Sequence, residues 1–189
     1  MIRDLIQNNR SYRRFDETHS IDESLLRSLV DLARLSPSAA NLQPLKYILS
    51  CSPEKNKLIF PQLKWAAYLK EWGGPKEGER PSAYIIILGD TSIRKDFGCD
   101  HGIVAQSILL GAVEQGLGGC MIASIQRDEL RVALNIPTHL EILLALALGK
   151  PVEKVVIESL GPDGSVKYWR DEEQIHHVPK RLLKDIILS

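Results

Sequence analysis

Apolar positions recur at two spacings along the chain, and the alternation between them predicts a mixed α and β fold. Leu25, Leu26, Leu29, Val30, Leu32 and Ala33 fall at helical spacing. In front of them, Ser20-Ile21-Asp22-Glu23 has the Ser-x-x-Glu form of a capping box. Pro37 stops this helix, because the residue before a proline avoids helical geometry. A shorter helix is expected at Asp4 to Asn9, with Ile2, Leu5 and Ile6 on one face. Lys46 to Cys51 reads as a strand, and Ser52 then caps a helix that opens on Pro53 and carries Leu58, Ile59 and Leu63. Pro61 divides that region, with a second helical piece expected from Gln62 to Glu71.

Farther on the runs become almost wholly apolar. Ala83 to Leu88 has the pattern of a strand buried on both faces. Cys99 to Gly116 is helical and apolar around most of its circumference, as in a helix covered on several sides. Gly116-Leu117-Gly118-Gly119 ends it, and Cys120 to Ala123 follows as a short strand. Arg127 to Leu134 is a helix stopped by Asn135-Ile136-Pro137, and Glu141 to Leu148 is another buried strand. Val155 to Ile157 and Val166 to Tyr168 flank Gly161-Pro162-Asp163-Gly164 as either a hairpin or two separate extended arms. Pro179 is expected to open a last helix, Lys180 to Leu188. No internal repeat or linker interrupts the pattern, so residues 1–189 read as a single domain.

Charge narrows the partners. Twenty-four Lys+Arg balance twenty-four Asp+Glu, so no long-range field favours nucleic acid or an anionic membrane. Cys51, Cys99 and Cys120 are odd in number, far apart and set among apolar residues, which predicts buried free thiols in a reducing cytoplasm. No secretory signal is expected at Met1-Ile2-Arg3-Asp4, and the longest apolar run, Ile142 to Leu148, is too short to cross a bilayer.

The strongest local chemistry is Arg10-Ser11-Tyr12-Arg13-Arg14, three guanidiniums and two hydroxyls within five residues. Guanidinium forks match phosphate and other oxyanions, so the cluster is either a solvated basic patch or an anion site. Ser36-Pro37-Ser38-Ala39-Ala40-Asn41-Leu42-Gln43-Pro44 offers small side chains and two amides, as a plain loop or as a surface a ligand can approach. Trp72 to Pro81 is a polar, glycine-rich loop, either a mobile cover or an ordered surface segment. Gly116-Leu117-Gly118-Gly119 lies between helix and strand and lacks the third glycine of the G-x-G-x-x-G spacing, where Met121 stands, so it is no dinucleotide fingerprint. Asp100-His101 and His176-His177 are adjacent pairs without metal-ligand spacing, and their histidines are read as internally satisfied or solvent-facing. With no nucleophile motif either, a cofactor is expected to carry the chemistry.

Four pieces in sequence order give that expectation a family. Arg10-Ser11-Tyr12-Arg13, Ser36 to Pro44, Gly116 to Ala123, and Leu148-Gly149-Lys150-Pro151 with Val178-Pro179-Lys180-Arg181 resemble the FMN-dependent nitroreductases. Tyr168-Trp169-Arg170-Asp171 and His176 to Arg181 resemble a compact branch of them. The resemblance implies an α+β fold around a mainly antiparallel sheet flanked by helices, in an intertwined homodimer with FMN at two interface sites. It implies that Arg10, Ser11 and Arg13 hold the phosphate, ribityl chain and pyrimidine edge, with Arg181 and its helper Lys180 as a second phosphate clamp. Pro37, Ser38, Ala39, Asn41 and Gln43 of the partner subunit would line the flavin, and Gly119, Ile122 and Ala123 one of its edges. NADH or NADPH would supply hydride in a ping-pong cycle and a small oxidised acceptor, such as a nitroaromatic or a quinone, would take it. Arg13 would act electrostatically. A flavin carrier or sensor without turnover, and an interaction module that binds an acidic partner through its arginines, are the alternatives.

Overall fold

A computed structural model describes residues 1–188. The chain runs α1 (Ile2–Asn8), β1 (Phe15–Asp16), α2 (Glu23–Arg34), β2 (Leu45–Ser50), α3 (Pro53–Ile59), β3 (Ala83–Asp90), α4 (Asp100–Glu114), β4 (Gly118–Ile122), α5 (Arg127–Ala133), β5 (Leu140–Pro151), β6 (Val155–Ser159), β7 (Trp169–Arg170) and β8 (His176–Lys180). β5 is the hub of an antiparallel five-stranded sheet. Along one edge it pairs with β3, Ile85 opposite Leu146, and β3 pairs in turn with β2, Ile48 opposite Ile86. Along the other edge β4 and β1 follow one another, with Cys120 opposite Ala147 and Phe15 opposite Pro151. The fold is α+β with a mainly antiparallel sheet flanked by helices.

Alternation along the apolar strands divides the core in two. Ile85, Ile87 and Leu146 face Leu26 and Leu29 of α2 and Ile108 and Leu109 of α4. Tyr84, Ile86, Leu88, Cys120 and Ile122 face Ile59 of α3 and Leu130 of α5. β3 is buried throughout, as a strand covered on both faces must be. Each fully buried Leu or Ile contributes about 1.5–3 kcal/mol, so these layers dominate stability.

Four local expectations are corrected. Ser20 is not the cap of α2: Asp22 is, accepting the Leu25 backbone N–H at 2.8 Å and the Ser24 hydroxyl at 2.7 Å. Gln62 to Glu71 is not helical, because after a 3-10 turn at Phe60–Gln62 the backbone leaves helical geometry at Leu63 and reaches φ +40 at Ala66. The Lys64 N–H there donates to the Ser124 carbonyl at 2.9 Å, tying the segment to the end of β4. Pro179 opens no helix. It lies in β8, which pairs parallel with β6 and, over two residues, antiparallel with β7, and only a 3-10 turn at Leu183–Asp185 follows. The segments around Gly161–Gly164 therefore form no hairpin: Val155 to Ile157 lies in β6, Val166 to Tyr168 is without regular structure, and β6 and β7 sit on either side of β8 in a small second sheet. Of the three cysteines only Cys120 is buried: Cys51 is half-buried and Cys99 exposed.

Candidate active site

Arg10 to Arg13 runs beside β4. Ser11 bridges Gly119, and the Tyr12 N–H donates to the Gly119 carbonyl at 3.0 Å. Gly119 has no room for a side chain, since a Cβ would lie 2.6 Å from the Ala147 carbonyl oxygen. The next residue is also anchored: Arg14 forms a two-pronged pair with Glu79, Nε to Oε2 at 2.9 Å and Nη2 to Oε1 at 2.7 Å. With the Phe15 N–H on the Glu79 carbonyl and the Gly78 N–H on Glu17, this gives the glycine-rich loop its ordered form.

This segment and β8 enclose a cavity of about 260 Å³. Arg10, Ser11 and Arg13 line one side, and His176, Val178 and Lys180 the other, with Tyr168 beneath. The β8 contributors are every second residue, as strand alternation requires. Arg181, one residue past the strand, is exposed and does not line this cavity. A helix from Pro179 would have allowed both basic residues to converge, and the strand turns only Lys180 toward Arg10.

The charge balance inside is positive. Arg10 donates from Nη2 to the Ile6 carbonyl at 2.7 Å, while its buried Nε has no partner among the described residues. Arg13 lies 4.9 Å over the Tyr168 ring and donates from Nη1 to the Ser11 carbonyl at 3.1 Å. The same Nη1 is 3.3 Å from His176 Nε2. Since a guanidinium only donates, Nε2 accepts and the ring proton sits on Nδ1, which is buried and unpartnered among the described residues. Burial, with the charges of Arg13 and Arg170, lowers the His176 pKa to about 4, so the ring is neutral at neutral pH. His177 faces the other way, between Asp171 and Glu158 at 3.1 Å each, and its pKa is raised chiefly by the hydrogen bond to Asp171. Expecting these histidines to be satisfied or solvent-facing is thus wrong for His176, and alternation along β8 is the signal that separates the two. Among the described residues no group of three or more His, Cys, Asp and Glu could hold a metal ion.

Arg13 also lines an adjoining cavity of about 140 Å³, formed by Ile122 and Ala123 at the end of β4 with Lys64 and Trp65. Cys120 in its wall is buried, and burial pushes its thiol pKa up, which suits packing rather than nucleophilic attack. Pro37, Ser38 and Gln43 line a third cavity, also about 140 Å³, with Tyr47 and Asp100. Asp100 is buried and accepts the Ser38 hydroxyl at 2.6 Å and the Ala39 N–H at 3.1 Å. That anchor holds a strained loop, with φ of +51 at Ala40, +54 at Asn41 and +51 at Gln43. Ala39 and Asn41 are exposed on it. Beside Asp100, burial pushes the Tyr47 phenol up to about 12. Within one chain, then, Arg10, Ser11, Arg13 and Lys180 come together, Arg13 links them to Ile122 and Ala123, and the Pro37–Gln43 loop stands apart.

The class these features define is an α+β protein with a basic, anion-ready cavity opening onto the end of a sheet strand. The nitroreductase family model matches residues 6–150, and the chain belongs to that family of oxidoreductases. Of the residues lining the basic cavity, Asn9 to Arg13 lie inside the match, while Tyr168 and β8 lie outside it, as do β6 and β7. A Thermus thermophilus NADH dehydrogenase is 26% identical over 190 aligned positions, covering 85% of this chain and 92% of that protein. An FMN-dependent nitroreductase from Clostridium difficile R20291 superposes with a TM-score of 0.66 at 22% identity, over 82% of this chain and 89% of the other. A nitroreductase family protein from Streptococcus pneumoniae TIGR4 superposes with 0.69 at 17% identity, over 86% and 96%. No helix among the described residues is long and apolar enough to cross a membrane.

Proposed function

We propose that this oxidoreductase is FMN-dependent and carries hydride from NADH or NADPH to a small oxidised acceptor, such as a nitroaromatic or a quinone, in a ping-pong cycle. The observation that carries this reading is the convergence of Arg10, Ser11, Arg13 and Lys180 on one cavity, with a guanidinium N–H at Arg10 that has no partner among the described residues. A phosphate monoester supplies the acceptor oxygens that such a donor set lacks. The cavity and its neighbour, about 260 and 140 Å³, share Arg13 and suit the two ends of an elongated nucleotide. The phosphate fits among Arg10, Ser11 and Lys180, and the flat ring fits along Ile122 and Ala123.

When bound, FMN supplies a ring that accepts hydride and passes it on. This chain's residues bind and polarise it. Arg10 and Lys180 hold the phosphate, with Arg181 as a neighbouring cation. Gly119 lets the Ser11–Arg13 segment lie close to β4. Arg13 would place a permanent positive charge beside the pyrimidine edge, which would favour hydride uptake. An opposite charge at about 4 Å is worth roughly 4 kcal/mol at an effective dielectric constant of 20, before desolvation costs. No side chain is needed as proton donor, since water can reach the exposed Ala123 edge of the ring cavity. Pro37, Ser38, Ala39, Asn41 and Gln43 complete the site from a second copy in a homodimer. The free cysteines fit work in a reducing cytoplasm.

The test is anaerobic. Purified protein should be yellow, release FMN on denaturation, and bleach when mixed with NADH or NADPH. Bound flavin that neither reductant bleaches would make the chain a flavin carrier or sensor instead.

A further inference from the structure

Bonded to the Arg13 main chain, and not among the residues that line the cavities above, is a carboxylate that the sequence does not single out. Glu153 sits two residues past β5, and its side chain is 1% exposed. Its Oε1 accepts the backbone N–H of Arg13 and, at 3.1 Å, that of Arg14. Its Oε2 accepts Arg170 Nη2 at 2.8 Å. Arg170 is itself nearly buried, at 8% exposure, and lies 4.4 Å over the Trp72 ring. Next to this clamp, the Val152 N–H donates to the Arg14 carbonyl at 3.1 Å.

We propose that Glu153 is a positioning residue for the flavin site: it fixes the backbone from which Arg13 reaches the cofactor, and its charge sets how much of the Arg13 field the cofactor feels. The proposal rests on the FMN reading above. The backbone role follows from geometry. A turn whose two successive N–H groups converge on one buried carboxylate oxygen cannot rotate without leaving polar groups unpaired, and unpaired buried groups are costly. Arg13 is then held at both ends, by Glu153 at the main chain and by Ser11 and His176 at the guanidinium. The electrostatic role follows from burial. Neutral acceptors would also pair the amides, whereas a charge removed from water acts at longer range and with less screening. Its negative charge offsets part of the Arg13 field, and Arg170 in turn offsets Glu153.

The experiment uses purified protein reconstituted with FMN and reads the flavin midpoint potential, with amide hydrogen exchange on cofactor-free protein as a second readout. Glu153→Gln keeps an amide oxygen for the two N–H groups but loses the charge, so the potential should move to more positive values with FMN still bound. Arg170→Gln exposes the carboxylate and should move it to more negative values. The double variant Glu153→Gln/Arg170→Gln should return toward the wild type. In cofactor-free Glu153→Ala, exchange at the Arg13 and Arg14 amides should speed up at least 100-fold while that of β3 stays slow. Potentials of both single variants equal to wild type, with only thermal stability lowered, would overturn the proposal and leave the FMN reading intact. If Glu153→Gln does not fold, Arg170→Gln alone decides by the sign of its shift. Wild-type protein that takes up no FMN would overturn both.

Discussion

Arg10 and Lys180 are separated by most of the chain and meet at one cavity, and the position of each within its own element explains why. Arg10 follows the last turn of α1, where its Nη2 on the Ile6 carbonyl fixes the guanidinium and leaves Nε without a partner among the described residues. Lys180 is the last residue of β8, in step with His176 and Val178. Arg181 is out of step. The phosphate contacts should therefore be unequal. Arg10→Ala removes charge-assisted hydrogen bonds worth about 1.5–3 kcal/mol, so FMN should bind roughly 10- to 150-fold more weakly. Lys180→Ala should weaken binding in the same direction, and Arg181→Ala should cost less than either. Fluorescence titration of the cofactor-free variants measures all three. A loss confined to Arg181→Ala would put the phosphate on the opposite face of β8.

At the scale of elements, β4 carries the most constrained position of the site. A Cβ on Gly119 would meet the Ala147 carbonyl of β5, a backbone atom in the middle of a sheet that cannot yield. Gly119→Ala should lower stability by about 1–3 kcal/mol, seen as a drop in the thermal midpoint of cofactor-free protein. Gly111 in α4 is a control. A Cβ there would lie 2.3 Å from the tip of the exposed Leu32 side chain and 3.0 Å from that of the buried Leu29. The Leu32 tip can swing away, Leu29 must give by only a few tenths of an ångström, and alanine gains up to about 1 kcal/mol of helix propensity, so Gly111→Ala should cost clearly less than Gly119→Ala. The same division between local and distant constraints decided what the sequence revealed. β3, β5, α2 and α4 were legible because each carries its own apolar period. β8 was not: His176-His177-Val178-Pro179-Lys180 has no apolar run, and its strand form depends on pairing with β6, a contact no local pattern encodes. Arg10, Ser11 and Arg13 were legible as a basic cluster from their chemistry alone, either a solvated patch or an anion site, and the fold lines one cavity with all three. Glu153 and His176 were not, because their partner Arg13 lies some 140 and 163 residues away in the chain.

The whole molecule leaves two things unmatched in a single chain. The Pro37–Gln43 loop lines its own cavity with Asp100 and shares no lining residue with the cavities around Arg13. Apolar side chains also stand in solvent on α1, at the end of α2 and along the C-terminal segment: Ile2, Ile6, Leu35, Leu183, Ile186 and Ile187 are 47–69% exposed. Exposed apolar area of this kind marks an interface. In the homodimer proposed above, a second copy would answer both, by covering these residues and by bringing its strained loop to the Arg13 cavity. Sedimentation velocity should show a particle of twice the chain's mass, and a concentration-independent monomer would refute the assembly. Complementation tests the finer claim that each flavin site draws on both copies. Arg10→Ala weakens the phosphate end, and Ala39→Glu places a bulky negative charge on the exposed loop, so each homodimer should bind little FMN. In a heterodimer of the two, a shared site has a definite consequence: one site collects both lesions and the other collects neither. Co-expressed, separately tagged chains should then recover flavin up to half of the wild-type content. If both segments came from one chain, every site would keep one lesion and no flavin would return.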